Sequence, residues 1–280
     1  MILSLRDYRF DLGRRPYVMG VLNVTPDSFW DGGKYAGPDR AFERARQMVA
    51  EGADIIDVGG ESTRPGSEPL DVHTEIDRVA PVVKKILGGL KVPVSVDTRK
   101  APVAKEMLEL GVHMVNDISG LSFDPSMAGL ITKYDVPVVV MHMRGTPENM
   151  QSFTDYEDVV IDVMQELREK VVLAEARGIA PRNIVVDPGI GFSKTAEQCV
   201  EIIARLDEFL DIGKPILVGP SRKSFIGRTL GLEPEERLEP TIACCLVAAS
   251  RGASILRVHD VGSASRALRM IDRIHKWLVD

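Results

Sequence analysis

Asn23, Asp57, Asp97, Asn116, Asp187, Lys223, Arg257 and His259 each lie within or just beyond a short apolar run rich in β-branched residues. Carboxylates and an amide at Asp97, Asn116 and Asp187 suit a flat heterocycle with several N–H donors, because a carboxylate accepts two parallel hydrogen bonds. Cations at Lys223 and Arg257, with His259, suit a phosphate or pyrophosphate. Thr63 and Arg64 add a hydroxyl, a guanidinium and backbone N–H groups. Together they imply a ligand with a polar aromatic head and an anionic tail.

Each residue also has a plainer reading. Asp57 and Asp187 could be buried acids holding loop N–H groups, the favoured reading for Asp57. Asp187-Pro-Gly189 could be only a turn, Lys223 could point to solvent, and Arg257 could pair with Asp260. His142 follows a buried strand and reads as a satisfied core histidine. His73, His113 and His275 lack ligand spacing, and no Cys/His cluster suggests structural zinc. Magnesium leaves less trace, because it keeps waters and takes phosphates with one or two protein oxygens. Gly189-Ile-Gly191 lacks the third glycine and the spacing of a dinucleotide fingerprint, and no Walker A pattern exists.

The elements that must position these residues can be read from hydrophobic pattern. Val18 to Leu22 is apolar throughout, as in a parallel strand covered on both faces, and then polarity switches abruptly to Asn23, Thr25, Asp27, Ser28 and Asp31. The same switch recurs. The pattern predicts strands at 54–58, 93–96, 114–115, 137–141, 184–186, 215–218 and 254–256. Helices are predicted over 38–52, 74–87, 101–110, 127–134, within 156–177, and over 196–210, 239–251 and 265–278. Eight alternating βα units predict a (β/α)8 TIM barrel filling 17–280 as one domain, with a short N-terminal hairpin at 1–16 whose turn falls in 11–15. An open doubly wound sheet explains less well why all the strands end in polar residues. In a barrel those ends converge on one rim.

The 280 residues carry 44% hydrophobic and 27% charged side chains, the balance of a globular protein. A net charge of −6 without a basic run argues against nucleic acid as partner. No apolar stretch is long enough for a bilayer, and Arg6, Asp7 and Arg9 occupy the place of a signal-peptide apolar core. Cys199, Cys244 and Cys245 read as buried thiols in a reducing compartment. The expected location is the cytoplasm, with no membrane association.

Seven motifs in order carry a resemblance. They are Asn23-Val-Thr-Pro-Asp-Ser-Phe29, Glu61-Ser-Thr-Arg-Pro-Gly66, Val96-Asp97-Thr98, Asn116-Asp117, Asp187-Pro-Gly-Ile-Gly-Phe192 and Ser221-Arg-Lys-Ser224, closing with Arg257-Val-His-Asp260. Together they resemble the dihydropteroate synthases. Trp30 stands where serine is common in that family. The resemblance implies condensation of (7,8-dihydropterin-6-yl)methyl diphosphate with p-aminobenzoate, giving 7,8-dihydropteroate and pyrophosphate in folate biosynthesis. It implies that Asp97, Asn116, Asp187 and Lys223 hold the pterin. Asn23, Thr63, Arg257, the Val258 backbone and His259 would hold the diphosphate, with Asn23 also on Mg2+. Phe29, Thr63, Pro65, Phe192, Lys223 and Ser224 would surround p-aminobenzoate, where sulfonamides compete in the family. Asp97, Lys223, Arg257 and His259 would carry the catalysis.

The chemistry agrees with these roles. Departure of the diphosphate leaves a cation over the methylene and ring, and an aromatic amine needs no strong base before attack. The segments 26–37 and 62–70, with Phe29, Trp30, Asp31 and Arg64, are expected to close over the reacting centre. A homodimer is expected, through the helical segments near 237–251 and 265–278. A corrinoid-dependent methyltransferase and a non-catalytic paralogue are the competing functions. The methyltransferase has no need of the Thr63-Arg64 and Arg257/His259 anion grip, and the intact loops argue against the paralogue.

Overall fold

The computed structural model describes residues 1–25, 37–62 and 69–279, with side chains as far as 274. The expected Phe29, Asp31, Thr63, Arg64 and Pro65 contacts, and the two expected closing segments apart from their flanks, lie outside the described residues.

Eight parallel strands close into a barrel. They are β3 (Tyr17–Asn23), β4 (Ile55–Gly59), β5 (Val94–Asp97), β6 (Met114–Asp117), β7 (Val138–Met141), β8 (Ile184–Asp187), β9 (Ile216–Val218) and β10 (Ala253–Val258), with β10 pairing back onto β3. β4 to β9 are buried at every position, as short valine- and isoleucine-rich runs require when helices cover one face and a filled interior the other. Between strands run helices Pro38–Glu51, Val72–Gly89, Ala101–Leu110, Ser126–Tyr134, Val159–Ala176, Ala196–Ala204 and Leu238–Ser250, and Val261–Val279 completes the ring. Their apolar faces meet the outer strand residues in one core. Gly52 shows how tightly the layers close: its φ is 105°, and a Cβ there would lie 2.4 Å from Ser265 Oγ. Among the described residues no helix is long and apolar enough to cross a membrane.

Two local expectations are corrected, and one further element is found. The N-terminal strands are β1 (Ile2–Leu5) and β2 (Tyr8–Asp11), and they turn at Arg6–Asp7, with Arg6 at φ 54°, rather than within 11–15. The expected helix 196–210 ends at Ala204, and Leu206–Ile212 continues as a tighter 3-10 turn. Arg205 at the junction draws in Glu201, Glu208 and Asp158. A short helix, Ser224–Leu230, sits between β9 and the helix Leu238–Ser250. Its seven residues are too few for the periodic pattern to register.

The hairpin stoppers the N-terminal end of the barrel. Leu3 and Leu5 are fully buried against Met19, Ile55, Met114, Val139, Val185, Leu217 and Ile255. Leu5→Ala should therefore destabilise the fold by about 2–5 kcal/mol through the lost transfer energy and the cavity left behind. Chemical denaturation would measure it, while the activity of the folded fraction should stay unchanged.

Candidate active site

The strand ends converge at the opposite rim. Asp57 lies within β4, Asp97 ends β5, Asn116 is the penultimate residue of β6, Asp187 ends β8 and Arg257 is the penultimate residue of β10. Arg257 draws them together. Its Nε donates to Asp57 Oδ2 at 2.6 Å and its Nη2 to Asp97 Oδ2 at 2.6 Å, while Asn116 Nδ2 donates to the same Asp57 oxygen at 3.0 Å. Asp57 is a buried acid, as expected, but it holds Arg257 and Asn116 rather than loop N–H groups. Arg257 does not pair with Asp260, which instead takes Arg222 in a two-pronged contact at 2.7 and 2.8 Å.

The electrostatics follow from burial. Burial works against the Arg257 charge, but Asp57 and Asp97 outweigh it and hold the guanidinium above its ordinary pKa. Burial drives Asp97 well above the usual carboxylate range, opposed by Arg257 and reinforced by Asp57. Burial also raises Asp187, against the charge of Lys223 and the Gly189 N–H at 2.7 Å. Lys223 is lowered to about 8, chiefly by burial and against the pull of Asp187. It does not point to solvent: its Nζ donates to Ile190 O and lies 4.3 Å from the centre of the Phe192 ring. Such a position suits a cation held over an aromatic face.

The loop after β10 carries His259, whose Nδ1 is 3.0 Å from Ser221 Oγ, and the same hydroxyl accepts from the His259 backbone N–H at 3.2 Å. Burial, then Arg257, lowers His259 to about 4, so near neutrality it offers a neutral N–H donor rather than a charge. Val258 ends β10 with its side chain buried, which leaves the backbone as its means of contact. Ser224 opens its short helix in an exposed position next to Lys223. At the other side of the rim, Asn23 ends β3. A Cβ added at Gly59 would lie 3.6 Å from Asp97 Oδ2 and 3.8 Å from Asn23 Oδ1, so glycine keeps the space between these two side chains open.

Phe192 and Glu61 stood in the sequence motifs, but the residues gathered around them did not. Ile118, Met141, Met143, Met150 and Phe192 form an apolar cluster of their own at the ends of β6, β7 and β8, a surface on which a flat ring can stack. Single apolar residues in loops carry no periodic signal. Glu61 gathers Lys100 Nζ at 2.9 Å, Arg99 Nη2 at 3.4 Å and the Leu70 N–H at 3.0 Å, and Lys100 also reaches the buried Glu75 at 2.6 Å. Ser221 was visible as part of a motif, but its bond to His259 joins residues 38 apart in sequence.

The pterin binding enzyme family model matches residues 19–259. The chain is 45% identical over 266 residues to the dihydropteroate synthase of Synechocystis sp., covering 95% of this chain and 92% of that protein. The chain belongs to the dihydropteroate synthase family. Among solved structures, the family member from Xanthomonas albilineans with 4-aminobenzoic acid superposes with a TM-score of 0.92 at 39% identity, covering 98% of each chain. The same organism's enzyme in complex with 7,8-dihydropteroate gives 0.90 at 37% identity, covering 98% of this chain and 99% of that one. The family match spans all the strand-end residues described above.

The Arg257 cluster sets a stability expectation. Arg257→Met would leave two buried carboxylates facing each other, at a cost of about 3–5 kcal/mol. Urea unfolding should show it, and adding Asp57→Asn and Asp97→Asn should recover part of the loss.

Proposed function

We propose that this chain joins p-aminobenzoate to (7,8-dihydropterin-6-yl)methyl diphosphate, forming 7,8-dihydropteroate and pyrophosphate at the C-terminal rim of the barrel. One observation carries this reading. A buried set of acids and an amide, Asp97, Asn116 and Asp187, stands beside two cations, Lys223 and Arg257, on a single rim. The acids and amide match the edge of the pterin, and the cations match the anionic tail.

The reaction breaks the bond between the pterin methylene carbon and the diphosphate oxygen, and forms a bond between that carbon and the aniline nitrogen. The nitrogen loses one proton, and pyrophosphate leaves. Arg257 and the His259 N–H stabilise the leaving oxygens, while ionised Asp97 stabilises the positive charge left on the ring and methylene. Lys223 and Phe192 confine p-aminobenzoate, with Ser224 at the lip to meet its carboxylate. Sulfonamides, which share that shape, would occupy the same place.

Asn23 offers an amide oxygen at the rim beside Asp97, and among the described residues no group of three or more His, Cys, Asp or Glu side chains could hold a metal. That donor set does not suit zinc, but it suits a Mg2+ that draws its other ligands from diphosphate and water. Bound there, Mg2+ would neutralise diphosphate charge and make it a better leaving group.

The proposal extends to a cytoplasmic homodimer. Val247 and Ile274 are 45% and 43% exposed on the helices Leu238–Ser250 and Val261–Val279, with Met270 also outward, supporting a partner on this side. Light scattering at twice the monomer mass is expected.

Pyrophosphate release tests the reaction. It should require p-aminobenzoate, stop on chelation of Mg2+ and fall by about 10²–10³ in Lys223→Ala. Asp97 acts only when ionised and its pKa is raised, so the rate should fall as pH drops through a value above the ordinary carboxylate range. Lys223 loses its charge as pH rises past about 8, which should produce the alkaline limb. Asp97→Asn should slow the reaction and remove the acid limb.

A further inference from the structure

The loop between β8 and the helix Ala196–Ala204 carries Phe192 but belongs to no regular element. Its backbone is held by side chains instead. Four successive carbonyls each accept one: Ile190 O from Lys223 Nζ, Gly191 O from Gln151 Nε2 at 3.3 Å, Phe192 O from Lys194 Nζ at 3.0 Å and Ser193 O from Tyr156 Oη at 2.9 Å. The conformation is not one the chain adopts by preference. Ser193 is buried at φ 48°, and Gly189 at φ 71° has no room for a side chain, since a Cβ there would lie 2.0 Å from His142 O. Three of the four donors, Lys223, Gln151 and Tyr156, come from outside the loop, and Lys194 belongs to it.

Lys194 is the innermost of the four donors, 2% exposed, and it continues into a line of partners. Its Nζ lies 2.9 Å from His142 Nδ1, His142 Nε2 lies 2.9 Å from Glu166 Oε2, and Arg144 Nε donates to Glu166 Oε1 at 2.9 Å. The donor directions are fixed from both ends. The Phe192 carbonyl only accepts, so Lys194 donates to it; the Glu166 carboxylate only accepts, so His142 donates from Nε2. A neutral His142 then has an unprotonated Nδ1, which accepts from Lys194. Burial lowers His142 to about 3, in keeping with this neutral tautomer. Arg144, half-buried, also lies 3.9 Å from the Tyr156 ring centre, and its backbone N–H donates to Ser193 Oγ at 2.8 Å. Lys194, His142, Glu166 and Arg144 thus form a strut, buried at Lys194 and His142, from the helix Val159–Ala176 to the back of the Phe192 loop.

We propose that Lys194, seated on His142 and Glu166, is a positioning residue that holds Phe192 against the aromatic amine substrate. The inference rests on the reaction proposed above. Among the described residues Lys194 Nζ hydrogen-bonds to the Phe192 carbonyl and His142, so it acts through Phe192. Removing it frees the ring that confines p-aminobenzoate and leaves the Asp97, Asn116 and Asp187 edge in place. The expected signature is selective: the p-aminobenzoate KM moves, and the pterin diphosphate KM does not.

The test measures both KM values and kcat, by pyrophosphate release, for the wild type, Lys194→Met and Tyr156→Phe. Lys194→Met keeps the apolar stem and loses the donor. It should raise the p-aminobenzoate KM about tenfold or more, with kcat and the pterin diphosphate KM changed by less than about threefold. Tyr156→Phe removes the neighbouring carbonyl's donor from a less buried site, and should give the same selective pattern at smaller size if Lys194→Met does not fold. Unchanged KM values in a folded variant would overturn the proposal, as would both KM values rising together. A wild type without p-aminobenzoate-dependent release would instead sink the proposed reaction, and this inference with it.

Discussion

A guanidinium taken out of water must be matched by carboxylates, and at this rim the converse also holds. Asp57 and Asp97 stand on neighbouring strands, β4 and β5, both buried and with a cation between them. Arg257 comes from β10, at the far end of the chain, and reaches both. One residue so placed does two jobs. It compensates the acids that line the heterocycle site, and it ties β10 to β4 and β5 across the rim. Desolvation alone makes each of these charges costly, and only their mutual geometry makes the site tolerable. Among the described residues Asp57 Oδ1 has no hydrogen-bond partner.

Around this cluster the structure divides labour between regular and irregular backbone. Strands deliver the charged and amide groups, whose directions then follow from the pleat. Loops deliver Phe192, Lys223 and His259, whose directions need external support. That support is visible in each case: side chains on successive carbonyls behind Phe192, Asp187 and Ile190 for Lys223, and Ser221 for His259. Arg222, at φ 54°, turns the backbone between Ser221 and Lys223, and its pairing with Asp260 ties the loop after β9 to the loop after β10.

Sequence reading reached the barrel because it rests on local signals. Runs such as Val138-Val-Val-Met141, and glycines ending helices at Gly52 and Gly111, announce their elements without any knowledge of neighbours. The strand-end polar residues were legible for the same reason: Asp97, Asn116 and Asp187 interrupt apolar runs. Their partners were not. Nothing local says that Arg257 meets Asp57 and Asp97 rather than the nearby Asp260, because that choice depends on barrel closure. Nor does sequence tell a solvated lysine from Lys194, whose buried Nζ meets His142 from a distant segment.

The hairpin at the other end has a bearing on water. A cation formed at the rim would be consumed by any water reaching it, and a hollow barrel could admit water along its axis. Leu3 and Leu5, with the side chains beneath the site, make that approach a dry wall. Among the described residues that end of the barrel is therefore closed, so shielding a cation at the rim would fall to the C-terminal face.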